Sequence, residues 1–343
     1  YSIGFDVPGY DELEYARLVS RHFNTDHHEY YVTPEDVVAG VPLVAAHFDQ
    51  PFANASAVPA YYCARMAQQD GVQRLLAGDG GDELFGGNYR YAKQQMLGWY
   101  QRVPAPLRRF ALEPVLLRSN IGNIGPMRKL ASYVQQAMLP MPQRMESYNL
   151  LDRLGSRPVL TDEAMARIDT DVPLQLMSET YHGARAGHML NRMLAVDMRF
   201  TLADSDLPKV TGACGLAGIE VDFPFLDDDL VAFSALLSPR EKVRGTRLRY
   251  LFKEALRGFL PNEILTKKKQ GFGLPFGLWL VEHPGLRDLT HDSLTSLKQR
   301  DLVRPEFIDE LLDHHQGGHA AYYGTMVWTL LMLEQWLAAR ERH

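Results

Sequence analysis

Apolar and polar positions follow two rhythms along the first 95 residues. Short apolar runs at Ser2–Phe5, His28–Val32 and Val72–Ala77 predict three strands. Between them the apolar spacing lengthens to three and four. Leu13, Ala16, Leu18 and Val19 form one stripe, which predicts a helix over Tyr10–His22. Further helices are predicted over Glu35–Phe48, broken or kinked near Pro42, and over Val58–Gln69. Strands alternating with helices imply an α/β fold with a parallel, doubly wound sheet. The ligand site of such a sheet lies at the carboxyl ends of its strands.

From Leu97 to Arg192 the pattern is helical, and Pro104, Pro106, Pro114, Pro126, Pro140, Pro142 and Pro158 interrupt it. Met and Leu recur there at helical spacing and read as core. Helices are predicted over Met189–Ala203, Leu230–Leu237 and Leu248–Gly258, the last closed by Gly258 and Pro261. A final amphipathic helix is predicted over Tyr322–Arg340, with Trp328, Leu331 and Trp336 among its apolar positions. The chain thus divides into an α/β layer (1–95), a helical region (96–195) and a mainly helical remainder (196–343), without internal repeats.

Composition narrows the class. The 343 residues are 46% hydrophobic and 23% charged, ordinary for a globular protein with a sizeable core. A net charge of −6 argues against a broad nucleic-acid or acidic-membrane surface. No apolar run reaches the roughly 18–20 residues that span a bilayer. The two cysteines, Cys63 and Cys214, fit a reducing compartment, which implies a cytoplasmic protein. The sequence opens at Tyr1 without initiator methionine or signal peptide, so a piece of a longer protein is expected.

Candidate chemistry concentrates in Leu75-Leu76-Ala77-Gly78-Asp79-Gly80-Gly81-Asp82-Glu83-Leu84-Phe85-Gly86-Gly87. A short apolar run, read as a buried strand, empties into a loop of glycines and carboxylates. Glycines let a backbone approach phosphate, and carboxylates at fixed offsets hold magnesium or accept a proton. Asp79 and Asp82 could face one cleft, one as metal ligand and the other as base. The plainer alternative is an acidic turn with an Asp N-cap and a helix from about Asp82.

A second segment, Lys267-Lys268-Lys269-Gln270-Gly271-Phe272-Gly273, could set an ammonium against phosphate, or be a solvated charge run. A third, Glu220-Val221-Asp222-Phe223-Pro224-Phe225-Leu226-Asp227, reads as irregular and extended, with the Phe pair inward. Glu220 and Asp227 could be anchors or substrate contacts, and the residues leave this even. His27-His28 has no partner at ligand spacing and reads as structural, His314-His315 as surface. The cysteines lack the setting of nucleophiles.

Together these segments resemble the synthetase domain of the glutamine-dependent asparagine synthetase family. Tyr1–Phe5, Asp49-Gln50-Pro51-Phe52 and Arg249-Tyr250-Leu251-Phe252-Lys253-Glu254 extend the likeness. It covers Tyr1 to about Gln95 and about Asp197 to Leu280, and only weakly the middle third. The resemblance implies a sheet of the adenine-nucleotide alpha-hydrolase type, ATP and Mg2+ as cofactors, and a small carboxylate such as aspartate as substrate. ATP would activate that carboxylate as an acyl-adenylate, and ammonia from a glutaminase domain would attack it. By position, Ile3, Ala77 and Gly78 would contact the nucleotide, Asp82 would bind magnesium, Asp79 would be the base, and Lys269 would stabilise phosphate charge.

Departures from the family pattern qualify the substrate. Asp-Arg is common where Thr211-Gly212 stands, and Arg where Asp222 stands; a dicarboxylate wants guanidinium partners. The family's Ser-Gly-Gly-x-Asp-Ser pyrophosphate loop has no counterpart, and neither has the cysteine glutaminase domain. Gly317-Gly318-His319 lacks the serine and aspartate. A C-terminal piece that is inactive alone, with a sheet made unstable by the absence of its central strand, is therefore expected. The parent could make asparagine, amidate or cyclise another carboxylate, or be a degenerate scaffold. An oligomer is compatible with any of these.

Overall fold

In the computed structural model, strand β1 (Ser2–Gly4) lies parallel to β2 (Glu29–Tyr31), with Ile3 opposite Tyr30. The structure describes all residues except 119–124, 147–149, 268–272, 317–319 and 343. Helix α1 (Leu13–Phe23) makes the crossover between these strands. Helix α2 (Pro34–His47) starts where its sequence dictates. The Thr33 hydroxyl accepts from the Asp36 N–H, the Asp36 carboxylate accepts from the Thr33 N–H, and Pro34 occupies the first turn. The helix runs through Pro42 without a break. Helix α3 (Ala57–Gln69) leads to β3 (Arg74–Leu76), which pairs in parallel with β4 (Glu220–Asp222).

The expected single sheet is not what forms. Parallel pairing and α/β crossovers are present, but among the described residues the strands make two separate two-stranded sheets, β1 with β2 and β3 with β4. Strand polarity explains the free edges. Ser2 N–H donates to His28, and Gly4 carbonyl accepts from Val32, so Ile3 turns its polar groups to the opposite edge. Likewise the Gln73 carbonyl accepts from Glu220 and Ala77 N–H donates to Asp222, leaving the polar groups of Leu76 on the side away from β4. Leu76, expected to be buried, is 72% exposed, because no element among the described residues packs over its side chain.

Most apolar burial lies elsewhere. The main core joins α2 and α3 to helices Phe276–Glu282, Pro284–Leu297, Pro305–Gln316 and Ala320–Glu341. Trp328 and Trp336 sit on the last of these and donate their indole N–H groups to the carbonyls of Ala53 and Phe48. His315, expected at the surface, is buried and hydrogen-bonded to the Gly277 carbonyl at 2.9 Å. The helix predicted over Met189–Ala203 ends at Val196 and continues as a wider π-helical stretch, Asp197–Asp206. A continuous helix, Leu207–Ala217, follows and packs on α3, which places its first turn beside the end of β3.

Candidate active site

The carboxylate loop is shaped by its glycines and pinned by its aromatics. Gly80 has φ +95°, a left-handed conformation, and turns the chain from β3 into the five-residue helix α4 (Gly81–Phe85). The plainer alternative, an Asp N-cap, does not form: Gly80 occupies the N-cap position. Gly87 answers a closer approach: a Cβ there would stand 1.6 Å from Asp82 Oδ1, so only glycine lets that carboxylate fold back over the loop. Leu84 and Phe85 are buried. Phe85 stacks on Phe252 at 4.8 Å, and Phe225 meets the same ring edge-on at 5.7 Å. The Gly-rich loop, the Pro224–Leu226 turn and the Tyr250–Ala255 helix thus form one unit.

Its two aspartates face different cations. Asp79 Oδ1 lies 3.5 Å from Lys209 Nζ, which also donates to Asp206 Oδ1 at 3.0 Å. Asn54 steadies this group by donating to Ser205 Oγ at 3.1 Å. Partial burial pushes the Asp79 carboxyl above the ordinary range; Lys209 pulls against that shift and Asp206 adds to it. Asp82 Oδ1 lies 3.3 Å from Arg249 Nη1. Arg249 is in the left-handed region (φ +50°), and its backbone N–H donates to Gly86. The loop therefore presents one carboxylate towards Lys209 and the other towards Arg249.

Behind the loop sits a buried charge network. Asp197 is 1% exposed; it accepts from Arg90 Nε at 3.1 Å and from the Tyr91 hydroxyl. Arg90 is its salt-bridge partner. Glu83 is 7% exposed, and burial, reinforced by the charges of Asp197 and Asp206, raises its carboxyl to about 7.

The expected nucleotide contacts fall together in part. Ile3 of β1 and Ala77, just past β3, line one apolar cavity of about 330 Å³, with Tyr1, Ala60, Cys63, Leu76, Cys214 and Val221. The Ala77 N–H is committed to the Asp222 carbonyl. Gly78 is exposed, and nothing lies within 4 Å of a Cβ built there. Lys269 lies outside the described residues, as do Lys268 and Gln270–Phe272. Both cysteine thiols are pushed up by burial, Cys214 to about 11, as befits inert core groups.

Other open readings close as structural. Glu220 and Asp222 both pair with Arg74 across the β3–β4 ladder. Asp227 caps the Asp228–Leu236 helix by accepting from the Asp229 and Leu230 N–H groups. His28 pairs with Asp70 at 2.8 Å and His27 with Glu29 at 3.3 Å. Thr211 bonds within its own helix. A Cβ at Gly212 would meet Phe48 Cζ at 2.6 Å, so Phe48 fills the space a side chain would need. Lys209 and Arg249 escaped the sequence reading. Their signals were weak: Lys209 follows Asp206 by three residues, and Arg249 stands in a block quoted only for likeness.

A family model described as asparagine synthase matches residues 1–338. The glutamine-hydrolyzing asparagine synthetase 1 of Bacillus subtilis (strain 168) is 23% identical over 352 residues, covering 98% of this chain and 51% of that protein. A putative glutamine-hydrolyzing asparagine synthetase of Mycobacterium tuberculosis (strain H37Rv) is 26% identical over 363 residues, covering 100% of this chain and 51% of that one. A second putative asparagine synthetase, from Methanocaldococcus jannaschii, reaches 35% identity over 108 residues, 32% of this chain and 21% of its own length. The chain spans about half the length of the first two relatives. It belongs to the asparagine synthase family.

Proposed function

We propose that this chain is the synthetase part of an enzyme that spends ATP to make an amide. A carboxylate oxygen attacks the α-phosphorus of ATP, forming an acyl-adenylate and releasing pyrophosphate. An amine then attacks the acyl carbon, AMP departs, and a base takes the amine's proton. Asparagine from aspartate, with ammonia from a glutaminase domain, is the version suggested by the relatives' names. The observation that carries this reading is the Gly78–Gly87 loop at the carboxyl end of β3. It holds two carboxylates three residues apart, each against a separate cation.

Within this reading Asp79 is the base. Burial raises its affinity for a proton above that of an ordinary carboxylate, the direction that favours a base, and Lys209 opposes that shift. Asp82 is the magnesium ligand. Magnesium is commonly held by one or two carboxylates together with substrate phosphates, and Asp82 would supply the carboxylate here. Such an ion would supply charge neutralisation at the phosphates, and Arg249 would have to yield its place on Asp82. Lys269 is the proposed phosphate-stabilising cation.

The same reading completes the sheet. Among the described residues the outer edges of Ile3 and Leu76 pair with no strand, both residues line one apolar cavity, and one further strand would join β1 to β3. We assign that strand to the part of the relatives' length this chain does not span. The result is a doubly wound sheet of the adenine-nucleotide alpha-hydrolase type, with residues 1–95 contributing only part of the nucleotide-binding layer. The helical region 96–195 and the remainder 196–343 then frame it in a cytoplasmic enzyme.

A second version, amidation or cyclisation of another carboxylate, is favoured by particular residues. Phe48 occupies the space beside Gly212, and Asp222 is spent on Arg74. The test is pyrophosphate release by the full-length protein across a panel of carboxylic acids. Release that depends on both acid and Asp79 supports the reading. No release with any acid, or an Asp79→Asn variant that matches the wild type, overturns it.

A further inference from the structure

On the Arg249 side of the carboxylate loop lies a cleft of about 590 Å³, lined among others by Tyr89, Arg249, Tyr250, Lys253, Arg257 and Lys267. Its charge is not balanced among the described residues. Arg257 is paired with Glu254 at 2.6 Å, and Arg247, also on the wall, shares the same carboxylate at 2.7 Å. Lys267 reaches Glu12 at 2.6 Å. Lys253 has no carboxylate partner among the described residues. Burial, with repulsion from Arg249 and Arg247, makes its ammonium less basic than usual.

Arg249 is the more telling group. Its Nε is buried and has no hydrogen-bond partner among the described residues. A guanidinium with an unmet buried donor is costly unless an anion completes it. Only one of its other donors is accounted for, by the 3.3 Å contact with Asp82. The left-handed backbone at Arg249 aims this side chain at the loop at a conformational cost.

The shape of the cleft adds a second constraint. The exposed ring of Tyr89 lines it, and so does Tyr250, whose ring centre lies 5.0 and 4.8 Å from the guanidinium carbons of Arg244 and Arg247. The volume falls in the range that holds drug-sized ligands and exceeds what a small amino acid fills.

We infer that this cleft receives the non-reacting anionic group of an acid substrate larger than a four-carbon amino acid, with Arg249 and Lys253 as its receptors and the tyrosines against its flat or apolar body. The inference rests on the carboxylate-activation reading above and names its substrate class: a rigid or extended acid with a second, distal anion. Arg249 then serves twice, as the cation beside Asp82 and as a receptor for the distal anion.

Calorimetric titration of the full-length protein in magnesium chloride tests this with three probes: terephthalate (a flat dianion), benzoate (its monoanionic counterpart) and inorganic pyrophosphate. Terephthalate is expected to bind roughly tenfold or more tighter than benzoate, the effect of one charged hydrogen bond. Arg249→Gln and Lys253→Gln should each abolish that preference, and Lys253→Arg should retain it. Thermal melting establishes that each variant is folded; if Arg249→Gln is not, the two Lys253 variants decide. Equal affinity for the two acids, variants without effect, or pyrophosphate displacing terephthalate at far lower concentration would each overturn the inference; the last would mark a polyphosphate site. Pyrophosphate-release assays separate the two levels. Release without a dianion preference sinks the cleft alone, whereas an Arg249-dependent preference without release sinks the activation chemistry and leaves an anion receptor.

Discussion

Lys209 holds its ammonium 3.5 Å from the Asp79 carboxylate, on a helix that no motif in the carboxylate loop announces. The contact opposes the desolvation that makes Asp79 hard to ionise. Removing it with Lys209→Met should raise the Asp79 proton affinity further, because the opposing positive charge is lost while burial and Asp206 remain. A base must be deprotonated to work, so the acid limb of the kcat/KM profile of the full-length enzyme should move to higher pH. Activity should recover as the pH is raised. Asp79→Asn should instead lose about 10²–10⁴-fold at every pH, the usual contribution of a positioned base. A Lys209→Met profile scaled down uniformly, with its limb unmoved, would show that Lys209 only supports the fold.

Gly87 gives a second handle, on Asp82. Gly87→Ala would put a methyl 1.6 Å from Asp82 Oδ1, so the carboxylate must leave its position over the loop. The stability cost should be about 1–3 kcal/mol, as for overpacking generally. The loss of pyrophosphate release should match that of Asp82→Asn. Urea unfolding and the release assay on the same samples check both halves. Full activity in a folded Gly87→Ala protein would free Asp82 of any catalytic part.

Glu83 contributes a pH dependence that belongs to the fold. Its carboxyl binds a proton up to about pH 7 in the folded protein, against an ordinary value of 4.5. Between those values the folded state holds the proton and the unfolded state has lost it. Stability therefore falls as pH rises through this window, and the full cost is present above it. A shift of this size corresponds to roughly 3 kcal/mol at most. Glu83→Gln should melt with the wild type at pH 5 and above it at pH 8. Thermal melts across pH 5–8 check this, and a parallel decline in both proteins would assign the effect to other groups.

The reach of the sequence differed between pattern and partnership. The first three strands and the glycine turn in the carboxylate loop follow from local rules, and the structure has them within a residue or two. The exposure of Leu76 did not follow, because burial of a strand depends on neighbours that its own residues do not name. His315 reads as a surface histidine until the Phe276–Glu282 helix brings the Gly277 carbonyl to it. The site behaves alike. Asp79 and Asp82 stand out by spacing, but Lys209 and Arg249 are 130 and 167 residues further along, and only the fold sets them against those carboxylates.

Gly212 and Phe48 extend that lesson to a measurable pair. The sequence shows only that a cation common in the family is replaced by glycine; the structure shows why it cannot return alone. Phe48 is nearly buried and stacks on Phe52 with ring centres 4.2 Å apart, and its edge fills the space beside Gly212. Gly212→Ala should therefore destabilise by about 1–3 kcal/mol. Phe48→Ala should cost about 3–5 kcal/mol through the cavity it leaves. Because the new methyl occupies part of that cavity, the double variant should be more stable than the sum of the singles predicts, by about 0.5–3 kcal/mol. Chemical denaturation of the four proteins gives this coupling directly. Strict additivity would mean that the ring relaxes away at no cost, and that the loss of the cation at position 212 has some cause other than Phe48.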